Sequence, residues 1–194
     1  MSPKSKQQFA IERERSTRAI KQAALQLFAH KGYAHTTISD IASEAGISKG
    51  LMYNYFNSKE ALLEAIVSEA VDEGWKLMET MISDDNGDPV EQLRQLVNAT
   101  VLMVKSNLTF WKFMTSLAFQ MDVMERLEPL LKRQREAATQ LAVQIFERMG
   151  RKEPLLEAYL FGAALDGLFL YYMILESTFP LEQMSDFLIK KLIA

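Results

Sequence analysis

The chain has 194 residues, no Cys, 22 Lys/Arg against 25 Asp/Glu, and a net charge of −3. The lack of Cys excludes disulfides, zinc–thiolate sites and thiol chemistry, and a chain of this length buries roughly 70% of its unfolded surface without such a staple. Only eight Gly and five Pro occur among abundant Ala, Leu, Glu, Lys, Gln and Met, a composition that predicts an all-α chain.

The charge is uneven. Residues 1–60 carry nine Lys/Arg and five Asp/Glu, and residues 61–194 carry 13 and 20. A basic end on an acidic body orients a molecule toward phosphate, although ordinary surface variation explains much of this asymmetry. No apolar run follows the N-terminal Met-Ser-Pro-Lys-Ser-Lys, so no signal peptide is expected. The longest apolar stretch, Tyr159 to Leu175, is broken by Asp166. No uninterrupted stretch reaches the roughly 18 residues of a membrane span, and a cytoplasmic protein is expected.

Residues 1–8 are polar and predicted disordered. The spacing of Ile20, Ala23, Ala24, Leu27 and Phe28 predicts a first helix over 9–31, stopped by Gly32. Arg13, Arg15, Arg18 and Lys21 near its start are suited to flanking phosphates or simply to solvent. Thr36 or Thr37 caps a second helix, with Asp40 in capping-box position and a stripe of Ile38, Ile41, Ala42 and Ala45. Gly46 makes the turn, Ile47 plugs it, and Ser48 caps a third helix expected to reach Phe56.

Two faces follow from that spacing. Met52 and Phe56 point inward, while Lys49, Gly50, Tyr53 and Asn54 share an outer face. Lys49 and Lys59 supply point charges for phosphate, and Thr37, Ser48 and Tyr53 supply neutral hydrogen bonds. Gly50 allows close backbone approach at a helix start. Asn54 suits a base edge and Leu51 a thymine methyl. Tyr53 is expected toward DNA, Tyr55 partly packed and Phe56 in the core.

The runs Thr-Thr-Ile-Ser-Asp-Ile-Ala, Ala-Gly-Ile-Ser-Lys-Gly and Tyr-Asn-Tyr-Phe-Asn-Ser-Lys-Glu-Ala-Leu-Leu resemble the DNA-binding domain of the TetR family. The resemblance covers about the first third of the chain; the remainder is similar only in helical layout. It implies that Thr37, Ser48, Lys49, Gly50, Leu51, Tyr53, Asn54, Tyr55 and Lys59 fall where family members contact an operator. Leu51 stands where a small hydroxyl residue is frequent, and Asn54 where His, Tyr or Arg is, which implies a different operator sequence.

Asn57 and Ser58 cap a fourth helix, with Glu60 placed for a box on Asn57, running to about Ile82. The expected organisation is therefore a three-helix helix-turn-helix domain over 9–57 and a helical body over 58–194, in which 58–82 connects the two. Residues 83–89 form the clear loop. Asp88 and Pro89 start a helix striped by Leu93, Leu96, Val97 and Val101. Pro129, Pro154 and Pro180 are each read as the first residue of a further helix, giving about nine helices in all.

The stretch from Asn107 to Met121 is dense in large soft side chains, and eleven Met suit an adaptable cavity or an ordinary core. The resemblance implies a ligand pocket in the body, for which the candidate liners are Met103, Phe110, Trp111, Met114, Phe119, Asp166, Tyr171 and Tyr172. It also implies that the last two helices pair two copies, and two reading heads suit successive major grooves. No catalytic residue, metal site or cofactor is expected: only His30 and His35 occur, and no nucleophile elbow, phosphate loop, dinucleotide fingerprint or HExxH pair is present. The expected function is a ligand-responsive regulator, a repressor, that binds a palindromic operator as a homodimer and is released by a small apolar or amphipathic effector. The alternative is a DNA-binding protein of the same fold controlled by a protein partner, or one with a filled core.

Overall fold

A computed structural model of the chain describes residues 6–82 and 87–193. The expectation of disorder over residues 1–8 lies outside that range up to residue 5 and is corrected at Lys6, Gln7 and Gln8, which are helical; most of the loop expected at 83–89 also lies outside. The described residues form nine α-helices and one 3₁₀ turn, with no strand. Contacts divide the chain into two compact units, Met1–Ser68 and Glu69–Ala194.

The first unit holds α1 (Lys6–Lys31), α2 (Ile38–Glu44), α3 (Lys49–Met52) and the first part of α4 (Lys59–Met81). Its core is Ile20, Ala24, Phe28, Ile41, Ala42, Met52 and Phe56, joined by Leu62, Leu63, Ile66 and Val67 of α4. Those four buried residues explain why the compact unit extends to Ser68 rather than closing near residue 57. Phe28 and Tyr33 pack edge to face, 5.1 Å between centroids.

The second unit contains the rest of α4, α5 (Pro89–Ser106), α6 (Leu108–Leu117), α7 (Met121–Arg148), α8 (Pro154–Leu175), the turn Glu176–Thr178 and α9 (Leu181–Ile193). Asp88 caps α5 by accepting from Val90 N–H at 3.1 Å, with Pro89 in the first turn where its missing N–H costs nothing. Pro154 likewise opens α8. α5 packs on α7 and α9, and α8 on α7 and α9. Leu93, Val97, Val101, Ile145, Phe146, Phe161, Leu165, Phe169, Leu181 and Ile189 make the shared core.

Three local expectations are corrected. Pro129 does not begin a helix: α7 starts at Met121 and carries Pro129 inside it. A Pro there leaves the Glu125 carbonyl without its usual donor, but both residues are exposed, so water can satisfy it. The third helix ends at Met52 instead of reaching Phe56, because Asn54 and Tyr55 donate to Leu51 and Met52 carbonyls three residues back, both at 3.0 Å, tightening the chain into turns. Ser58 caps α4 by accepting from Ala61 N–H at 3.0 Å, whereas Glu60 bonds its own backbone, Ser58 and Tyr33, which hold its carboxyl below the usual range.

α8 differs from its neighbours in being apolar on all sides. Ala158, Phe161, Leu165 and Phe169 are buried, yet Leu155, Leu156, Tyr159, Leu160, Leu170, Tyr171 and Ile174 are exposed. Among the described residues, the segment Pro154–Thr178 is long and apolar enough to cross a membrane, with a mean hydropathy of 1.6 over its most apolar window and 22% of that window buried. The interruption at Asp166 therefore excludes less than its position in the sequence suggests.

Candidate functional site

The helix-turn-helix is built from capping chemistry. Thr37 Oγ1 accepts from Asp40 N–H at 3.1 Å, and Asp40 Oδ2 accepts from Thr37 N–H at 2.9 Å and from the Thr37 hydroxyl at 2.8 Å. These bonds, followed by Lys31 3.8 Å away, hold the Asp40 carboxyl below its usual range. The box fixes where α2 starts.

At the other end of α2, Gly46 adopts φ +68°. Ile47 N–H reaches Ala42 O at 2.9 Å, and Gly46 N–H reaches Ser43 O at 3.1 Å. This paired closure requires a left-handed residue, which Gly supplies without strain. Two residues later, Ser48 Oγ accepts from Leu51 N–H at 3.1 Å and starts α3.

The residues expected to meet DNA fall into two groups. Thr37, Ser48, Lys49, Gly50, Leu51, Tyr53 and Asn54 are all exposed around α2 and α3. Leu51 is 40% and Tyr53 47% exposed, too open for core residues, while Met52 between them is fully buried. A Cβ on Gly50 would meet nothing within 4 Å, so the fold itself does not demand Gly there. The Asn54 side chain projects from a backbone held by Arg13, whose Nη2 donates to the Asn54 carbonyl at 3.1 Å.

Tyr55 and Lys59 are engaged inside the unit. Tyr55 is half-buried under the Arg13 guanidinium, 5.3 Å from the ring centroid. Lys59 donates from Nζ to the Tyr33 and Thr36 carbonyls at 2.8 and 3.0 Å and lies 4.3 Å from the Tyr33 ring centroid. Its ammonium thus braces the turn between α1 and α2 with two of its three N–H groups. Sequence reasoning also missed Arg13 as a brace of the recognition segment; its wide separation from residues 54 and 55 left no local signal.

The second unit holds a separate apolar cavity of about 280 Å³, open at one side. Its walls include Met78, Leu96, Met103, Phe161, Leu165 and Phe169, with Thr100, Thr139, Arg135 and Asp166 as the polar members. Of the expected liners, Met103 and Asp166 stand here. Phe110 and Trp111, with Met103, line a smaller space of about 70 Å³. Met114 and Tyr172 are half-buried and line neither, Tyr171 stacks on Phe179 at the surface, and Phe119 is 92% exposed. A third, polar cleft of about 440 Å³ lies between α4 and α7, beside Trp75 and Arg133.

Residues 20–66 match the family model described as bacterial regulatory proteins, tetR family. That segment is a TetR-family DNA-binding domain. Its N-terminal part is 42% identical over 80 residues to the HTH-type transcriptional regulator YerO of Bacillus subtilis, a match covering 41% of this chain and 27% of YerO. It is 36% identical over 87 residues to TtgR of Pseudomonas putida, covering 44% of this chain and 41% of TtgR. The matched region thus spans less than half of either relative.

The TetR-like fold extends over nearly the whole chain. A Clostridium perfringens protein described as a fatty acid metabolism regulator superposes with a TM-score of 0.77 at 22% identity, covering 90% of this chain and 96% of its own. AibR, solved with isovaleryl coenzyme A and operator DNA, superposes with a TM-score of 0.72 at 20% identity, covering 92% and 98%. At these identities the likeness speaks for the fold.

Proposed function

We propose that this chain is a ligand-responsive TetR-family transcriptional repressor that binds a palindromic double-stranded operator as a homodimer and releases it when a small apolar or amphipathic effector enters the body. The first unit reads DNA, and the second binds the effector and pairs the two copies.

The observation that carries the reading is the exposed face Ser48–Lys49–Gly50–Leu51 with Tyr53 and Asn54, set on a buried Met52 and Phe56. It combines a cation, hydroxyls, an amide and an apolar group, which are the side-chain types that position on phosphates and read base edges. Lys49 and the Ser48 and Thr37 hydroxyls engage phosphate, Asn54 engages a base edge, and Leu51 packs on a thymine methyl. Dimerisation is supported by the apolar outer face of α8, where Leu160 is 65% and Ile174 68% exposed. Contiguous apolar surface of this kind is the mark of an interface, and a second copy places a second reading head one helical turn away along the operator.

The reading is tested by selecting bound sequences from random duplex DNA, with and without an effector library. Enrichment of an inverted repeat that is lost on effector addition supports it. An absence of enrichment removes the DNA-reading claim, and enrichment indifferent to every effector class removes the ligand response.

A further inference from the structure

The apolar cavity has a polarity of its own. Its two hydroxyls have already spent their protons on their own helices: Thr100 Oγ1 donates to Leu96 O at 2.8 Å and Thr139 Oγ1 to Arg135 O at 2.9 Å. What each hydroxyl still offers is lone pairs. Arg135, the one basic side chain in the lining, is held by Glu128 through two bonds, 2.6 Å from Nη2 to Oε1 and 3.4 Å from Nη1 to Oε2. That ion pair lies at the surface, with the two side chains 60% and 44% exposed, and its opposite charges offset each other.

Asp166 completes the set. Among the described residues its carboxylate has neither a hydrogen-bond nor an ion-pair partner, although it stands on the cavity wall beside Gly162, Leu165 and Phe169. Desolvation by the walls on one side shifts its pKa upward although the residue is exposed, with no basic neighbour holding it down. Asp166 is exposed at the edge of the cavity, so water solvates its open side and the carboxylate stays available to a cation. The unused polar capacity is therefore of one kind: two hydroxyl acceptors and one unpaired anion, set in walls of Met, Leu and Phe.

We infer that the cavity takes a small apolar amine, its tail against Met103, Phe161 and Phe169 and its cationic head on Asp166. A carboxylate-headed ligand of the same tail meets a like charge there and must compete with Glu128 for Arg135. At about 280 Å³, the space falls just below the usual range for ligand pockets, which begins near 300 Å³, and so suits a small ligand. This inference rests on the effector-binding role proposed above and specifies its chemistry.

The test uses the full chain at pH 7.5 with three probes of one tail and three heads: octylamine, 1-octanol and octanoate. Binding is read by calorimetry and by release of the selected operator. Octylamine is expected to bind tightest, on the order of tenfold or more over octanoate, the scale of one favourable charge contact. Asp166→Asn should bring octylamine down to the level of octanol while leaving octanol unchanged. Gly162→Met, where an added Cβ meets nothing within 4 Å, should fill the space and abolish binding of all three. Octanoate binding as tightly as octylamine, or octylamine indifferent to Asp166→Asn, overturns the inference. If octanoate binds and releases the operator, the effector-responsive reading stands and only the amine class fails; if no probe binds, the inference falls with the effector role of this cavity.

Discussion

A Cβ placed on Gly74 would stand 2.7 Å from the sulfur of Met103 and 3.6 Å from its Cγ. The Met103 thioether therefore occupies the space that a side chain on α4 would need, and α4 and α5 approach closely at this point. The same Met103 lines the apolar cavity and the smaller space beside Trp111. Any ligand that displaces it changes the contact α4 rests on.

Substitution at Gly74 separates two opposing effects. Ala in place of Gly gains about 1 kcal/mol of helix propensity, and the flexible Met103 side chain can swing away at modest cost. Gly74→Ala is therefore expected to leave unfolding free energy within about 1 kcal/mol of wild type. Gly74→Val cannot be absorbed so cheaply and should destabilise by about 1–3 kcal/mol, the usual cost of overpacking. Met103→Ala should recover part of that loss, and denaturant unfolding of the two single variants and the double variant measures the coupling.

Lys49 and Lys59 are predicted to fail in different assays. Lys49 is exposed, so Lys49→Ala should leave the thermal midpoint unchanged, weaken binding to all DNA sequences and reduce the salt slope by about one. Lys59 is half-buried and bonded to two carbonyls. Lys59→Met should lower stability by about 1–2 kcal/mol, toward the lower part of the range for charged hydrogen bonds because the ammonium is partly solvated. The properly folded fraction of that variant should keep the wild-type salt slope.

The contrast between those two lysines shows what the sequence reveals and what it hides. Short-range features were legible: the Thr37–Asp40 box, Gly46 at the turn, Asp88–Pro89 and Pro154 all act within four residues. Pro129 misled because its cost depends on whether the Glu125 carbonyl faces water, which no local pattern records. The bracing roles of Lys59 and Arg13 were hidden because their partners lie 23 to 42 residues away. The cavity was legible only at Met103 and Asp166. α8 is apolar on every side, so periodicity could not say that Phe161 and Phe169 face inward while Tyr171 faces out.

The capping box should titrate. The Asp40 carboxyl is held below its ordinary value of 3.8 by its bonds from Thr37 and by Lys31. A depressed folded-state pKa contributes stability above the unfolded value, and that contribution disappears as pH falls through the folded value. Asp40→Asn should therefore destabilise the first unit at neutral pH, and the difference from wild type should close below pH 3.8. Hydrogen exchange of α2 amides across that window reads the effect; a constant difference at all pH values would assign the loss to geometry instead of charge.

Asp166 should behave in the opposite sense. Desolvation on one side of this exposed carboxyl raises its pKa above 3.8, so the folded state slightly favours the neutral acid. Folding is relatively favoured below the unfolded value, and that advantage is lost as pH climbs through the raised folded value. Asp166→Asn is expected to stabilise the chain at neutral pH and to have no effect below pH 3.8, as thermal unfolding of the ligand-free protein would show.

The central claim is that the face built on Ser48, Lys49, Leu51 and Asn54 reads an operator. The most direct measurement is the binding of wild-type protein and the Asn54→Ala variant to a complete set of single-base changes in the selected operator. A lost base-edge contact should relax discrimination at one position in each half-site, by about 1–3 kcal/mol, with the other positions unchanged. An unaltered preference at every position would contradict the assignment of Asn54, and the absence of any sequence preference in the wild type would contradict the reading of this face as a DNA reader.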